Sequence, residues 1–192
     1  MIKTNSKYKS KRIYSWISDK AIIADTKKYG MGIYARKKIQ KDEKIAMFGG
    51  HVITRNEESK LPEEIYDNAM QIDDNLVIGG ISKKEIEDGS MFNHSCNANA
   101  GIRGQILLVA RRDIEVGEQV TFDFGTVLYR KKGVPPYELE CFCGESCCRG
   151  RITDNDWKLK SVQVKYRGYF PLHIQDKIDK IKKNGLQSSN KY

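Results

Sequence analysis

Four of the five cysteines in this 192-residue chain are crowded together, in the order Cys141, Cys143, Cys147 and Cys148. Zinc prefers soft thiolate ligands in a tetrahedron with Zn–S distances of about 2.3 Å, and a Cys-x-Cys turn with a third cysteine soon after can supply three. Cys96 is the only other cysteine, so we expect it to be the fourth ligand. One of Cys147 and Cys148 would then be spare; buried thiols without a metal are the alternative. A zinc ion here would tie the loop at 93–97 to the segment at 141–148.

Two other short segments could also take part in chemistry. Asn93-His94-Ser95-Cys96 places a histidine beside the proposed metal ligand, although a lone histidine is more often structural than catalytic. Tyr29-Gly30-Met31-Gly32 would let a ligand approach the backbone closely, but any tight turn uses glycine in the same way. No third glycine and helix follow this turn, which excludes a Rossmann-type dinucleotide site.

The elements that must position these residues are mostly short strands. Apolar and β-branched runs, separated by turn residues, predict strands at 21–25, 32–35, 45–48, 51–54, 70–72, 76–78, 106–110 and 119–124. The acidic stretch at 56–69 contains Pro62 and predicts one short helix at most. We therefore expect a domain that is mainly β with some α.

The C-terminal part has a different pattern. Asp154 is a candidate N-cap for a short helix through Leu159. After Pro171, Ile174, Ile178 and Ile181 recur at helical spacing and predict an amphipathic second helix. We expect this apolar stripe to pack against the domain; binding of a partner is the alternative.

The chain is basic at its ends and slightly acidic between them. Its 34 basic and 25 acidic residues give a net charge of +9, made up of +5 in 1–20, −3 in 21–156 and +7 in 157–192. The ends are either solvated, partly frayed termini or arms for nucleic acid or an acidic partner. Since the acidic middle offers no basic face with interleaved aromatic residues, nucleic acid is expected only as a secondary contact.

The sequence contains neither a membrane-spanning run of about 18 apolar residues nor a secretory signal. We expect no membrane partner and a reducing compartment, the cytoplasm or the nucleus, with export into a host cell left open. Disulfide frameworks are rare in such compartments, which favours a metal-binding interpretation of the cysteines.

Five segments, taken in order, resemble the SET-domain family of protein lysine methyltransferases with a post-SET zinc-binding segment. They are YGMGIYARKKIQKDEKI, GGHVIT, NHSCNAN, ARRDIEVGEQVTFDFG and CFCGESCCRG, and the resemblance covers about residues 20–152. It implies a SET-type fold of small β-sheets around a pseudoknot, with the NHSC segment beside 121–124. The implied organisation is a basic N-terminal extension (1–20), a SET domain (21–130), the post-SET zinc segment (137–152) and a helical basic tail (153–192).

The resemblance assigns S-adenosylmethionine and one structural zinc ion as cofactors. The residues implied to bind S-adenosylmethionine are Met31, Gly32, Asn93 and His94. Phe142 would lie near the cofactor or the outer lysine channel, or else pack in the core. The implied zinc ligands are Cys96, Cys141, Cys143 and Cys148, which leaves Cys147 spare.

The family delivers the substrate lysine through an aromatic channel, for which Phe48, Phe122 and Phe124 are the matched candidates; core packing is the alternative. The family motif usually ends in Asp-Tyr, and that tyrosine is assigned the central role at the methyl-transfer site, whereas this chain has Phe124 there. Phe48 also occupies a position often taken by tyrosine. Tyr129 and Tyr137 are close enough in sequence to be considered as replacements for the missing hydroxyl.

Two functions therefore remain open. The first is an S-adenosylmethionine-dependent protein-lysine N-methyltransferase acting on a lysine-containing protein, a histone or another basic protein. The second is a catalytically weak or inactive SET module that binds the cofactor or a lysine-bearing partner.

Overall fold

The computed structural model describes residues 9–26, 30–66, 68–130 and 136–189, and side chains as far as residue 184. Residues 1–8, 27–29 and 190–192, about which the sequence also made predictions, lie outside these ranges. The strands are β1 (Trp16–Ile17), β2 (Ala21–Asp25), β3 (Met31–Ala35), β4 (Lys44–Met47), β5 (His51–Thr54), β6 (Met70–Gln71), β7 (Leu76–Gly79), β8 (Asn93–His94), β9 (Ala100–Arg103), β10 (Leu107–Ala110), β11 (Thr121–Phe122), β12 (Glu138–Glu140) and β13 (Arg151–Thr153). The α-helices are α1 (Arg55–Glu58), α2 (Glu63–Tyr66), α3 (Lys160–Lys165) and α4 (Leu172–Ser189). The expected mainly β fold with some α is confirmed.

The strands form several small sheets around one apolar core. Strands β1, β4, β10 and β9 make an antiparallel sheet in that order, and β5, β7 and β6 make a second one. Strands β2 and β3 pair antiparallel, as do β12 and β13. Apolar residues of the first sheet, such as Ile45 and Leu108, are fully buried, so the core fixes the register of this sheet.

Strands β8 and β11 form a two-stranded parallel pair that joins two distant parts of the sequence. Asn93 lies opposite Thr121, and His94 lies opposite Phe122. This confirms the prediction that the NHSC segment lies beside the segment that begins at Thr121. The pairing brings the polar NHSC residues next to the phenylalanines.

The structure differs from the sequence predictions in two elements of this region. The strand expected at 119–124 stops at Phe122, because Asp123 accepts a hydrogen bond from the Gly125 N–H (3.0 Å) and starts a 3-10 turn. The stretch at 56–69 holds two short helices rather than one. Thr54 and Glu57 cap α1 reciprocally and stabilise this helix, which precedes Pro62. The second helix, α2, follows Pro62.

The C-terminal helices are present, with shifted limits. Asp154 accepts the Tyr137 N–H (3.0 Å) and does not cap a helix; a 3-10 turn at Asp156–Lys158 precedes α3. Ile174 and Ile178 of α4 are buried, but Ile181 is 50% exposed. The expected apolar stripe therefore ends one turn early.

Two carboxylates hold the N-terminal segment onto the body. Glu87 accepts the backbone N–H groups of Ile13, Tyr14 and Ser15, at 2.5 to 2.8 Å. Asp88, which is fully buried, accepts bonds from residues 10–12. From residue 10 onward the segment is thus docked, in contrast to a frayed terminus. Among the described helices, none is both long and apolar enough to span a membrane.

Candidate active site and metal centre

A row of aromatic rings crosses the centre of the molecule. Ring centroids are 5.9 Å apart for Phe92 and Phe48, 6.0 Å for Phe48 and Phe122, 4.9 Å for Phe122 and Phe124, and 5.4 Å for Phe124 and His94. Phe122 belongs to the buried core, and Phe48 and Phe124 pack against that core. The fold thus brings together the three phenylalanines expected to line a channel.

Two cavities meet at this row of rings. A large cleft of about 1210 Å³ is lined by Phe48, Phe122 and Phe124 among others. A smaller cavity of about 180 Å³ is lined by Asn93, His94, Phe124 and Phe142 among others. Phe124 and Leu139 line both, so they are shared by the walls of the large cleft and the small cavity.

The turn that contains Gly32 is packed closely against Asn93. Asn93 Nδ2 donates to the Met31 carbonyl (3.0 Å), which joins β3 to β8. A Cβ atom at Gly32 would collide with the Gln119 amide and lie 2.9 Å from Asn93 Nδ2, so any other residue here would displace the side chains packed on this turn. Gln119 Nε2 is buried and has no hydrogen-bond partner among the described residues. An amide donor is thus available to a polar ligand at this turn.

His94 links the aromatic row to the thiols. Its Nδ1 accepts the Phe124 backbone N–H (3.2 Å), and its Nε2 lies 3.4 Å from Cys96 Sγ. Burial lowers the pKa of His94 to about 4, although the nearby Asp123 carboxylate opposes this. The ring is therefore neutral at pH 7, with its proton on Nε2 and directed to sulfur. The resemblance placed His94 at the cofactor, and its ring lines the small cavity.

The thiols of Cys96, Cys141 and Cys143 cluster with His94, their ligand atoms all within 4.8 Å of one another. The sulfurs of Cys96 and Cys141 are 3.8 Å apart. Four thiolates at about 2.3 Å from a zinc ion would have sulfur–sulfur distances of about 3.8 Å. Burial raises the pKa of the Cys141 thiol to about 11, so this sulfur would be protonated unless a cation stabilised its thiolate. The donor set and its spacing fit zinc.

Cys147 and Cys148 differ in their surroundings. Cys148 packs against the same cluster as Cys143, and its Sγ lies 3.4 Å from the Cys141 carbonyl. The Gly150 N–H donates to Cys148 Sγ (3.4 Å) and lowers the pKa of that thiol. Cys147 is exposed, and its Sγ lies 3.0 Å from the Lys165 ammonium. Cys148 is thus the better placed of the two to complete a four-thiolate set.

A buried ion pair that the sequence did not reveal holds the cysteine segment to the aromatic row. Arg149 donates to both carboxylate oxygens of Asp123 (2.8 and 2.6 Å) and to Asp156 (2.7 Å). Asp123, which is fully buried, lies between Phe122 and Phe124 in sequence. The sequence signal for this pair is the Cys-Arg-Gly ending of the cysteine motif, in which the family resemblance assigns a role to the cysteine and none to the arginine.

The C-terminal helices hold the Cys96 loop from the other side. The Tyr166 hydroxyl donates to the Cys96 carbonyl (3.2 Å) and accepts the Ala98 N–H (3.1 Å). The Arg111 guanidinium lies 4.1 Å from the centre of the Tyr166 ring and donates to the Lys165 carbonyl (2.6 Å). No spacing rule in the sequence pointed to Tyr166, because its partners are about 70 residues away.

The remaining candidates also lie around the two cavities. Phe142 is 63% exposed, so it lines the small cavity and does not pack in the core. Tyr129 and Tyr137, the candidates to replace a missing hydroxyl, both line the large cleft. Lys177 Nζ lies 3.9 Å from the centre of the Tyr129 ring, which fixes that ring against the C-terminal helices.

Comparison with known protein families identifies a single domain type. The SET domain family model matches residues 30–125, which is half of the chain. This stretch includes the Gly32 turn, the parallel pair of β8 and β11, and all three phenylalanines of the channel. The cysteine segment and the C-terminal helices lie beyond it.

Individual proteins agree with this match. The chain is 29% identical over 145 residues to histone-lysine N-methyltransferase ash1 of Drosophila melanogaster, covering 69% of this chain and 6% of that protein. It is 30% identical over 155 residues to the putative histone-lysine N-methyltransferase ASHH4 of Arabidopsis thaliana, covering 74% of this chain and 42% of that protein. The fold is similar to that in a crystal structure of KRYPTONITE in complex with mCHG DNA and SAH, with a TM-score of 0.52 and 20% identity. The similarity covers 68% of this chain and 28% of that one. The chain thus spans less than half the length of each of these proteins.

Proposed function

Because the chain belongs to the SET-domain family, we propose that it is an S-adenosylmethionine-dependent protein-lysine N-methyltransferase. The observation that carries this proposal is the position of Phe124, which lines both the large cleft and the small cavity. A lysine side chain in the cleft and a cofactor in the cavity would then meet beside the same aromatic ring, with the amine nitrogen in reach of the methyl group. Two related proteins named above are histone-lysine N-methyltransferases, which supports a histone or another basic protein as the substrate.

The small cavity is the proposed cofactor site. Asn93 and His94 line it, and the turn at Met31 and Gly32 is joined to it through the Asn93 amide. The exposed ring of Phe142 forms its outer wall. S-adenosylmethionine supplies a methyl group on a positively charged sulfur, and the aromatic rings of Phe124 and Phe142 suit such a cation.

The large cleft is the proposed lysine site. Six carboxylates and two guanidinium groups line it, so its lining favours a positively charged segment. The carboxylates are Glu58, Glu63, Glu85, Glu87, Glu138 and Asp154. The rings of Phe48, Phe122 and Phe124 exclude water from the reacting nitrogen and can hold its cation before the proton leaves.

The reaction requires a neutral amine. A lysine ammonium, whose usual pKa is about 10.4, must release a proton to solvent before its nitrogen lone pair forms the new N–C bond while the S–C bond breaks. No phenol stands at position 124 to orient that nitrogen. The phenylalanine walls, and the hydroxyls of Tyr129 and Tyr137 in the lining of the same cleft, are groups of this chain that can position the amine instead.

We assign one structural zinc ion to Cys96, Cys141, Cys143 and Cys148. The sulfur–sulfur distance of 3.8 Å between Cys96 and Cys141 supports this set. The ion would hold residues 137–152, a post-SET segment, against the SET domain at 21–130. Since Leu139 and Phe142 lie in this segment, the zinc ion would stabilise one wall of both cavities.

A second candidate function is a module that binds cofactor or a lysine-bearing partner without turnover. The observation that favours it is the absence of a hydroxyl on both Phe48 and Phe124. Loss of one positioned polar group at a reacting centre can cost about 2–4 kcal/mol of transition-state stabilisation, or about 10²–10³ in rate.

One experiment separates the two. Purified protein is incubated with radiolabelled S-adenosylmethionine and core histones, and cofactor binding is measured in parallel by calorimetry. Label on histone lysines that is lost in Asn93→Ala supports the enzyme, while cofactor binding without transfer to any basic protein supports the second candidate. Phe124→Tyr then decides the cause: activity gained from zero indicates a disabled enzyme, and loss of existing activity indicates a pocket adapted to phenylalanine.

A further inference from the structure

More than half of the basic side chains in the body of the protein have a carboxylate partner, whereas nearly all of those in its C-terminal helical unit, defined here as residues 157–184, have none in the described part of the chain. Among the described residues, eleven of nineteen lysines and arginines in the body lie within 4.0 Å of a carboxylate. In the helical unit only Lys177 does, with Asp74. Six exposed cations of the unit have no such partner within the described ranges: Lys158, Lys160, Arg167, Lys180, Lys182 and Lys183.

The central part of the apolar face of this unit is buried within the domain. Ile174 and Ile178 of α4 are buried in a cluster with Trp157, Tyr166 and Phe170. The helices therefore turn their polar side outward. With eight basic and two acidic residues, this unit carries a net charge of +6 on the exterior of a domain whose middle is acidic.

We propose that this surface binds the phosphate backbone of double-stranded DNA without regard to sequence. Lysines without a partner carboxylate are available to neutralise phosphates, and each contact releases condensed counterions. Three of the six cations, Lys180, Lys182 and Lys183, lie within one turn of α4. The choice of DNA rests in part on the proposed function, since histones are packaged with DNA.

The composition of the surface disfavours other polyanions. Five of the six exposed cations are lysines, which are depleted in protein–protein interfaces but common at phosphates. A membrane-surface helix needs a continuous free apolar face. Ile174 and Ile178 of α4 are buried, and its two exposed apolar residues, Leu172 and Ile181, are nine positions apart and so lie on opposite sides of the helix. Single strands need exposed aromatic rings for stacking, whereas Trp157, Tyr166 and Phe170 are buried.

Fluorescence anisotropy with a 30-base-pair labelled DNA duplex of arbitrary sequence tests the proposal, using the full chain without cofactor. We compare wild type with the triple variant Lys180→Gln, Lys182→Gln, Lys183→Gln. The control is Lys37→Gln, Lys38→Gln, Arg112→Gln, which removes the same charge at body positions that have carboxylate partners. We expect about tenfold weaker binding for the helix variant. The slope of log K against log salt concentration should become shallower by about three, one for each lost phosphate contact.

Several outcomes would overturn the proposal. These are no duplex binding by wild type at 50 mM salt, equal losses in both variants, or a salt-independent affinity. Tighter binding to a single strand, an RNA duplex, phosphatidylserine vesicles or polyglutamate than to duplex DNA would assign the surface to that partner instead. Because the assay contains no cofactor or substrate, failure of methyl transfer leaves its result intact.

Discussion

The two walls of the proposed channel are held in place by different physical forces. The rings of Phe48 and Phe122 rest on a continuous apolar core whose central residues, such as Ile45 and Leu108, are fully buried. The opposite wall, β12 and the cysteine turn, has Leu139 and Phe142 exposed at 41% and 63%. It contacts the rest of the domain through the Cys96–Cys141 thiol pair and the ion pair of Arg149, and among the described strands β12 pairs only with β13.

This difference indicates how the two walls respond to change. Burial of apolar area is insensitive to protons and metals, so the first wall should persist wherever the domain is folded. The second wall has little apolar area of its own and is stabilised by a few polar contacts that can each be removed singly. Function can therefore be lost at the second wall while the first remains intact.

Removal of the metal should produce the largest effect and confine it to one wall. Metal analysis is expected to find about one zinc ion per chain. Cys141→Ser, or chelation, should abolish cofactor binding and raise hydrogen exchange in 137–152, because structural zinc contributes about 10 kcal/mol or more to folding at such sites. Exchange in β4 and β10 should change little. Cys147→Ser, at the exposed thiol, is the matched control; full zinc content and protection in Cys141→Ser would contradict the assignment.

Breaking the buried ion pair should have the next largest effect. Arg149→Met leaves Asp123 charged and fully buried, which is expected to cost about 3–5 kcal/mol in the free energy of unfolding. Arg112→Met removes an exposed pair with Glu118 and should cost about 1 kcal/mol or less. Urea denaturation measures both. Similar losses in the two variants would mean that Arg149 does not lock the second wall.

The first wall was largely predictable from sequence, and the second only in its cysteines. Strands 21–25 and 51–54 follow from local apolar runs, and the closeness of Asn93 to Thr121 follows from ordered motifs of the family. The cysteine spacing nominated three thiols that the structure brings together with His94. These signals are local or belong to a known pattern.

What the sequence missed depends on long-range pairing of common residue types. Tyr166 binds the Cys96 carbonyl, and Glu87 binds the N–H groups of 13–15, across about 70 residues of sequence in each case. No periodicity marks a tyrosine or a glutamate for such a role. Two element limits, at Phe122 and Asp154, were misplaced because side chains of Asp123 and Asp154 bind backbone groups that local patterns do not show.

Acid should weaken the attachment of the C-terminal helices through His173. This side chain is buried next to Gln105, Lys177, Asp73 and Asp74, and burial lowers its pKa to about 4. On acidification, His173 takes up a proton near pH 6.5 in the unfolded chain but near pH 4 in the folded one. The free energy of unfolding therefore keeps its full value above pH 6.5 and decreases as the pH falls from 6.5 to 4. Between pH 7.5 and pH 5, the free energy of unfolding should fall by about 2 kcal/mol less in His173→Gln than in wild type. Urea denaturation at the two pH values measures both. An equal acid-induced loss in both proteins would contradict this.

The smallest expected effect tests whether the C-terminal helices also support the second wall. Tyr166→Phe removes the hydroxyl that joins the Cys96 carbonyl to the Ala98 N–H. The Cys96 carbonyl keeps its bond from the Lys165 ammonium (3.0 Å), but the buried Ala98 N–H is left unpaired at a cost of about 1–3 kcal/mol. The ring keeps its contact with Arg111, so the apolar packing of the helices should persist. If the hydroxyl positions the Cys96 loop, the variant should bind zinc and cofactor more weakly, whereas Tyr169→Phe, which loses an exposed bond to Asp42, should not. Loss of stability with unchanged zinc and cofactor affinity would show that Tyr166 stabilises the fold alone, and that the second wall is fixed by Arg149 and the thiols.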